Sequence, residues 1–162
     1  MGTDGTVRVC ATYRVQLYRG FTFEDAARCA SYLSRLGITH LYCSPFLQAT
    51  EGSTHGYDVV DHGRLNEELG GEPAYRRLVE ALGDHNLGQV LDIVPNHMAI
   101  GGRANRWWWN VLQHGQSSRY ADFFDIDWDP PERKLAGTVL VPVLGDHYGR
   151  VLEAGELRVE RR

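Results

Sequence analysis

Over the first hundred residues, apolar positions recur with a period near two and then near 3.6, and glycine or proline marks most changes between them. Val7 to Leu17, VRVCATYRVQL, is rich in valine, threonine and tyrosine and partly alternates. It predicts a first strand whose arginines share one wet face. After Gly20, Phe23, Ala26, Ala27, Ala30, Leu33 and Leu36 return at helical spacing, with Thr22 placed to cap, Glu24 and Asp25 in the first turn and Gly37 as the stop. Ile38 to Pro45, ITHLYCSP, predicts a short second strand, and a polar, glycine-bearing loop runs from there to Gly71. Pro73 opens a second helix in which Tyr75, Leu78, Val79 and Leu82 form one stripe, with the arginines largely opposite. Gly88 then resets the chain for QVLDIVP, a third strand that contains Asp92.

Strand, helix, strand, helix, strand with short turns is the α/β pattern of a parallel sheet with crossover helices, whose ligands gather at the C-terminal ends of the strands. The unusual residues fall near those ends. Tyr42 and Ser44 close the second strand, the loop STHGYDVVD follows it, and Asp92, Asn96 and His97 close the third. Beyond His97 the pattern breaks. NRWWWNVLQHG predicts an aromatic helix, SSRYADFFDIDWDPP an acidic-aromatic loop, and TVLVPVLGDHYGRVL two strands around a glycine-bearing turn. Residues 99–162 are expected to form an inserted subdomain over the strand ends.

With 43% apolar and 23% charged residues over 162, the chain has the make-up of a globular domain able to bury a sizeable core. A formal net charge of −4 without a long basic run offers no electrostatic footprint for nucleic acid or anionic lipid, so a neutral ligand such as a sugar fits better. The N-terminal stretch MGTDGTVRV shows neither the basic flank nor the apolar core of a leader, and no run is long enough to span a membrane. Cys10, Cys29 and Cys43, odd in number and widely spaced among apolar neighbours, read as reduced core thiols of a cytoplasmic protein.

Asp92 is the sharpest single signal, a carboxylate inside an apolar run. One reading is a strand-ending aspartate that caps the next turn; the other is a ligand-site carboxylate partnered by a cation. His97, five residues on and past a proline, can turn its ring into the same pocket. Metal binding by the two lacks a second histidine at ligand spacing, and no metal or cofactor is expected. In THGYDVVDHGRLN, Gly56 permits a tight backbone, Tyr57 offers a flat ring, and Asp58, Asp61 and His62 supply polar edges, although a plain polar loop would read the same way. Asp58 and Asp61 do not make a glycosidase pair, because nothing in the sequence sets them on opposite faces of a sugar. Trp107, Trp108 and Trp109 cannot share one helix face, so at least one looks outward.

The stretches ATYRVQLYRGFTFEDA, LYCSPFLQATEGSTHGYDVVD, NEELGG, VLDIVPNHMA, WWWNVLQHGQSSRYADFFDIDWD and VLVPVLG together resemble the N-terminal part of the maltooligosyltrehalose synthases, a family within the alpha-amylase superfamily. The resemblance implies a (β/α)8 TIM barrel with a subdomain inserted after strand 3. About 250 residues make such a barrel, so residues 1–98 would supply three strand-helix units and 99–162 the start of the insertion. It implies intramolecular transglycosylation, in which the reducing-end α-1,4 linkage of a maltooligosaccharide becomes an α,α-1,1 linkage through a covalent glycosyl-enzyme. Asp92, Asn96 and His97 match the superfamily's first motif, in which the histidine contacts the sugar being cleaved and the aspartate orients an arginine near the nucleophile. Tyr57 matches the ring that stacks beneath that sugar, and Asp58 lies in the same loop without an assigned role. The nucleophile, the acid/base and that arginine belong to later strands, so the chain alone is expected to be inactive. Its open sheet edge and uncovered helix faces predict self-association. The alternatives are a non-catalytic α-glucan-binding module and another superfamily hydrolase or transglycosylase.

Overall fold

The computed structural model describes residues 8–158. Val7, where the expected first strand begins, most of the N-terminal stretch examined for a leader, and the last four residues of the 99–162 segment lie outside them. The chain divides into two compact units, Met1–Trp109 and Asn110–Arg162.

The first unit is an α/β layer. Strands β1 (Thr12–Val15), β2 (His40–Cys43) and β5 (Gly88–Leu91) form a parallel sheet in the order β1-β2-β5. Two helices, α1 (Phe23–Arg35) and α2 (Gly71–Asp84), make the crossovers. Val15, Cys43 and Leu91 share one level of the register, so the three strands end together. Alternation then sorts the side chains. Val15, Leu17, Leu41 and Cys43 pack with Phe23, Ala26, Ala30, Leu33, Ala74, Leu78 and Leu82 of the helices. Arg14, Tyr42 and Asp92 take the opposite parity, on the face the helices leave open. Phe23, Phe46 and Tyr75 close the core with mutual ring-centroid distances of 5.3 to 5.5 Å.

Both helices stop by the same device. At the end of α1, Gly37 adopts φ +86°, its N–H bonds Ser34 O, and the Ile38 N–H bonds Leu33 O. At the end of α2 the left-handed residue is Asn86, φ +54°, with Asn86 N–H to Gly83 O and Leu87 N–H to Leu82 O. These are Schellman caps, and each leads into the next strand. At the start of α1 the Asp25 carboxylate accepts both the N–H and the hydroxyl of Thr22, 2.8 Å each. The Thr22 N–H, then its hydroxyl, hold that carboxyl below its usual range.

Several expectations need correction. Strand β1 spans four residues rather than eleven, because only Thr12–Val15 find partners on β2. Gly88 does not turn the chain; Asn86 does, and Gly88 makes room, since a Cβ there would sit 2.4 Å from the buried His40 ring. Val79 of the predicted stripe is exposed and Ala74 is buried instead, so the stripe is rotated toward Ala74, Leu78 and Leu82. The loop before Gly71 holds an antiparallel hairpin of β3 (Leu47–Ala49) and β4 (Val59–Leu65), with register shifts on both sides of Gln48. Asp92 follows β5 instead of lying within it, and of its apolar neighbours Leu91 and Ile93 are exposed at the sheet edge. Cys43 is buried and its burial pushes the thiol up, whereas Cys10 is exposed and Cys29 half-buried; all three are free.

Helix α3 (Arg106–His114) carries the tryptophans, with Trp108 buried and Trp107 and Trp109 half-buried. Within the second unit, Ser118 Oγ donates to Asn110 Oδ1 at 2.7 Å, and a short helix α4 (Tyr148–Glu153) follows His147. The two strands expected there are absent among the described residues. Leu140 and Val143 are exposed, and apolar alternation without a partner edge makes no ladder. No helix among the described residues is long and apolar enough to cross a membrane.

The His40–Gly88 contact gives a stability test. Gly88→Ala should cost about 1 to 3 kcal/mol in urea unfolding, as overpacking does, and almost nothing in a His40→Ala background. An equal cost in both backgrounds would show that the ring is not what excludes the methyl group.

Candidate active site

Where the three parallel strands end, four side chains from four segments converge. The Tyr57 hydroxyl donates to Asp92 Oδ2 at 2.6 Å, and Tyr42 donates to the same oxygen at 3.3 Å. Arg14 donates from Nη2 to the Tyr57 oxygen at 3.3 Å, lies 3.8 Å from Asp92 Oδ2, and holds its guanidinium carbon 5.5 Å from the Tyr42 ring centroid. Asp92 is thereby screened from water, its side chain 14% exposed against 39% for Arg14. A carboxylate oxygen that accepts from two phenols beside a guanidinium is fixed in place.

Tyr57 owes its position to the residues before it. Gly56 has φ +77°, and a Cβ there would come 2.1 Å from the Pro45 carbonyl oxygen, so only glycine lets the loop cross the end of β2 so closely. Asp58 braces the same loop: its carboxylate accepts from Ser53 Oγ at 2.5 Å, and its carbonyl accepts from the Thr50 N–H at 3.0 Å. Its neighbour Asp61 accepts from the Gly63 N–H at 2.8 Å and pairs with Arg64 Nε at 3.2 Å. Both aspartates are therefore engaged locally.

His97 joins the site from the far side. Its Nε2 lies 3.1 Å from the Tyr57 carbonyl oxygen, which only accepts, so that nitrogen carries the hydrogen. Its Nδ1 lies 3.1 Å from the Asn96 side-chain oxygen. The ring stays exposed, as does that of Tyr57. An exposed phenol ring and an exposed imidazole beside a fixed carboxylate make a surface suited to a polyhydroxylated ligand, with an aromatic face for its apolar side. Among the described residues no group of three or more His, Cys, Asp or Glu side chains is placed to hold a metal ion.

Residues 28–149 match the family described as alpha amylase, catalytic domain. The chain belongs to the alpha-amylase family. It is 47% identical over 143 residues to a Mycobacterium tuberculosis protein named as a maltooligosyl trehalose synthase, covering 85% of this chain and 18% of that protein. The solved maltooligosyltrehalose synthase of Arthrobacter ramosus is also 47% identical, with a TM-score of 0.79 over 93% of this chain and 19% of that one. Neopullulanase 2 of Thermoactinomyces vulgaris is 37% identical over 107 residues, 66% of this chain and 17% of its own. The chain thus spans about a fifth of the length of the synthases it matches.

Within this alpha-amylase segment the structure brings Tyr57, Asp92, Asn96 and His97 together, as their places at the strand ends suggest. Asp58 shares the loop of Tyr57 but turns its carboxylate to Ser53. The residue that sequence reasoning missed is Arg14. The signal was present, because a strand residue next to a core position, here Val15, must show its side chain to the face opposite it.

The bond from Tyr57 to Asp92 raises the phenol pKa above its ordinary value, with Arg14 pulling the other way. An absorbance titration of wild-type chain minus Tyr57→Phe isolates this phenol. It should titrate later than free tyrosine, earlier when Asp92→Ala removes the acceptor, and later still in Arg14→Ala. A curve indifferent to Asp92 would contradict the geometry.

Proposed function

We propose that this chain forms the N-terminal part of a maltooligosyltrehalose synthase, an isomerase of the alpha-amylase family. On this reading residues 1–98 supply the first three units of the (β/α)8 barrel and residues 99–162 begin the subdomain inserted over its strand ends. The whole enzyme converts the reducing-end α-1,4 linkage of a maltooligosaccharide into an α,α-1,1 linkage, and the α-glucan is its ligand. The observation that carries the reading is the convergence of Tyr57, Asp92 and His97 just past the C-terminal ends of the parallel strands, in a chain similar to synthases of this activity over most of its length.

Each residue then has a task. Tyr57 offers its ring as the floor under the glucose unit at the reacting bond. His97, with Asn96 beside it, exchanges its Nε2–H bond to the Tyr57 carbonyl for one to that unit's hydroxyls, strengthened as the sugar ring flattens toward an oxocarbenium-like state. Asp92 holds the floor through Oδ2, and its Oδ1, without a hydrogen bond among the described residues, is left for the arginine that the resemblance implies. Transfer with retention uses a nucleophile and an acid/base about 5 to 5.5 Å apart. Asp58, Asp61 and Asp92 are committed to Ser53, Arg64 and Tyr57, so that pair comes from elsewhere in the enzyme and residues 1–162 alone do not turn over. Free thiols fit a cytoplasmic enzyme, and the exposed Leu91 and Ile93 at the edge of β5 favour self-association of the isolated chain.

Incubation of the full-length protein with maltopentaose decides the reaction. Reducing ends should disappear without release of small sugars, whereas a hydrolase would raise the reducing-end signal. In the same protein His97→Ala should lower kcat/KM by about one to three orders of magnitude, the worth of a hydrogen bond made mainly in the transition state. An unchanged rate would remove His97 from the site.

A further inference from the structure

The sugar floor is held by a residue that no part of the proposed chemistry requires. Arg14 and Tyr42 are register partners on β1 and β2, so their side chains rise side by side on the open face of the sheet. From there Arg14 Nη1 donates to Gln16 Oε1 at 2.9 Å and Nη2 donates to the Tyr57 oxygen at 3.3 Å. Gln16 Nε2 continues to the Thr54 carbonyl at 2.9 Å. The arginine therefore grips the Tyr57 loop twice, once at the phenol and once, through Gln16, three residues earlier in the backbone.

The hydroxyl of Tyr57 has one proton, and it is spent on Asp92 at 2.6 Å. Its oxygen is loaded by Arg14 from the other side. With both capacities used the hydroxyl is closed to a sugar, and the ring cannot swing out without breaking two charge-assisted bonds. What stays available is the ring itself, 38% exposed in an otherwise braced loop.

We propose that Arg14 is a positioning residue for glucan binding: with Gln16 it holds Tyr57 as a preformed platform, so that the ordering cost of the loop is not charged to the arriving sugar. The inference rests on the reading that Tyr57 lies under a glucose unit. Arg14 touches no reacting atom on this account, so its effect falls on binding rather than on the chemical step.

The test is steady-state kinetics of the full-length enzyme with maltopentaose. Arg14→Ala should raise KM about tenfold with kcat changed less than about threefold, the signature of lost uniform binding. Arg14→Lys, which offers one point donor in place of a fork, should fall between Ala and wild type. Because one of the two grips runs through the hydroxyl, Arg14→Ala placed in a Tyr57→Phe background should raise KM by less than it does in the wild type, the remainder reporting the grip through Gln16. A KM unmoved by Arg14→Ala while Tyr57→Ala raises it, or an Arg14 effect undiminished in the Tyr57→Phe background, overturns the role given to Arg14. A KM unmoved by Tyr57→Ala instead overturns the sugar-floor reading itself. Should Arg14→Ala fail to fold, Arg14→Lys with and without Tyr57→Phe carries the same comparison.

Discussion

The shared register of β1, β2 and β5 is the constraint on which the rest depends. Parallel pairing puts Val15, Cys43 and Leu91 at one level, and strict alternation then leaves no freedom over which residues meet the helices. A slip of one residue in any strand would send its core side chains to the open face and its polar ones into the helices. The apolar demands of Leu41, Cys43 and Val15 therefore fix where Arg14, Tyr42 and Asp92 stand, and burial of the core builds the polar cluster as a by-product. Packing against Phe23, Leu33, Leu78 and Leu82 is non-directional, yet it yields distances of 2.6 to 3.8 Å on the other side of the sheet because the backbone transmits the register rigidly.

The loop carrying Tyr57 follows a different logic. It belongs to no parallel strand, so register does not place it; a bulged hairpin, a glycine pressed on the Pro45 carbonyl, and a net of short bonds through Ser53, Asp58 and Thr50 do. Such a loop is ordered by many weak local interactions, each of which leaves some torsional freedom to the side chain at its tip. The last degree of freedom, the swing of the phenol, is removed by the sheet itself through Asp92 and Arg14. Rigid scaffold and adaptable loop thus meet at a single oxygen atom.

That division explains what could be read in the sequence. The helices were legible because their stripes are long and their caps chemical: Thr22 with Asp25 at one end, Gly37 at the other. The three parallel strands were legible as existing, less so in extent, since a strand ends where its partner ends and partners are not written in a single segment. Asp92, Asn96, His97 and Tyr57 stood out as polar groups at strand ends. Arg14 did not, because a lone arginine in a short strand looks like solvent-facing charge until the face away from the helices is known to hold Asp92, far on in the chain. The β3–β4 hairpin escaped notice since LQA and VVDHGRL carry too few alternating apolar positions to show a period, and TVLVPVLG misled for the converse reason: alternation without a neighbouring edge forms no sheet.

The placement of charge around Asp92 carries the argument one step further. A carboxylate beside an apolar strand is costly unless bonded, and here one oxygen takes two phenols with a guanidinium nearby, while Tyr57 and Arg14 are themselves exposed and Tyr42 is half-buried. Charge is therefore neutralised on the scaffold side and the rings are left toward solvent. On the proposed reading, a neutral, polyhydroxylated ligand meets aromatic surface there rather than a bare negative charge, which would draw water and cations to the site. On the proposed reading, balancing Asp92 internally favours stacking over ion binding, and it does so with residues from four segments that only the fold brings together.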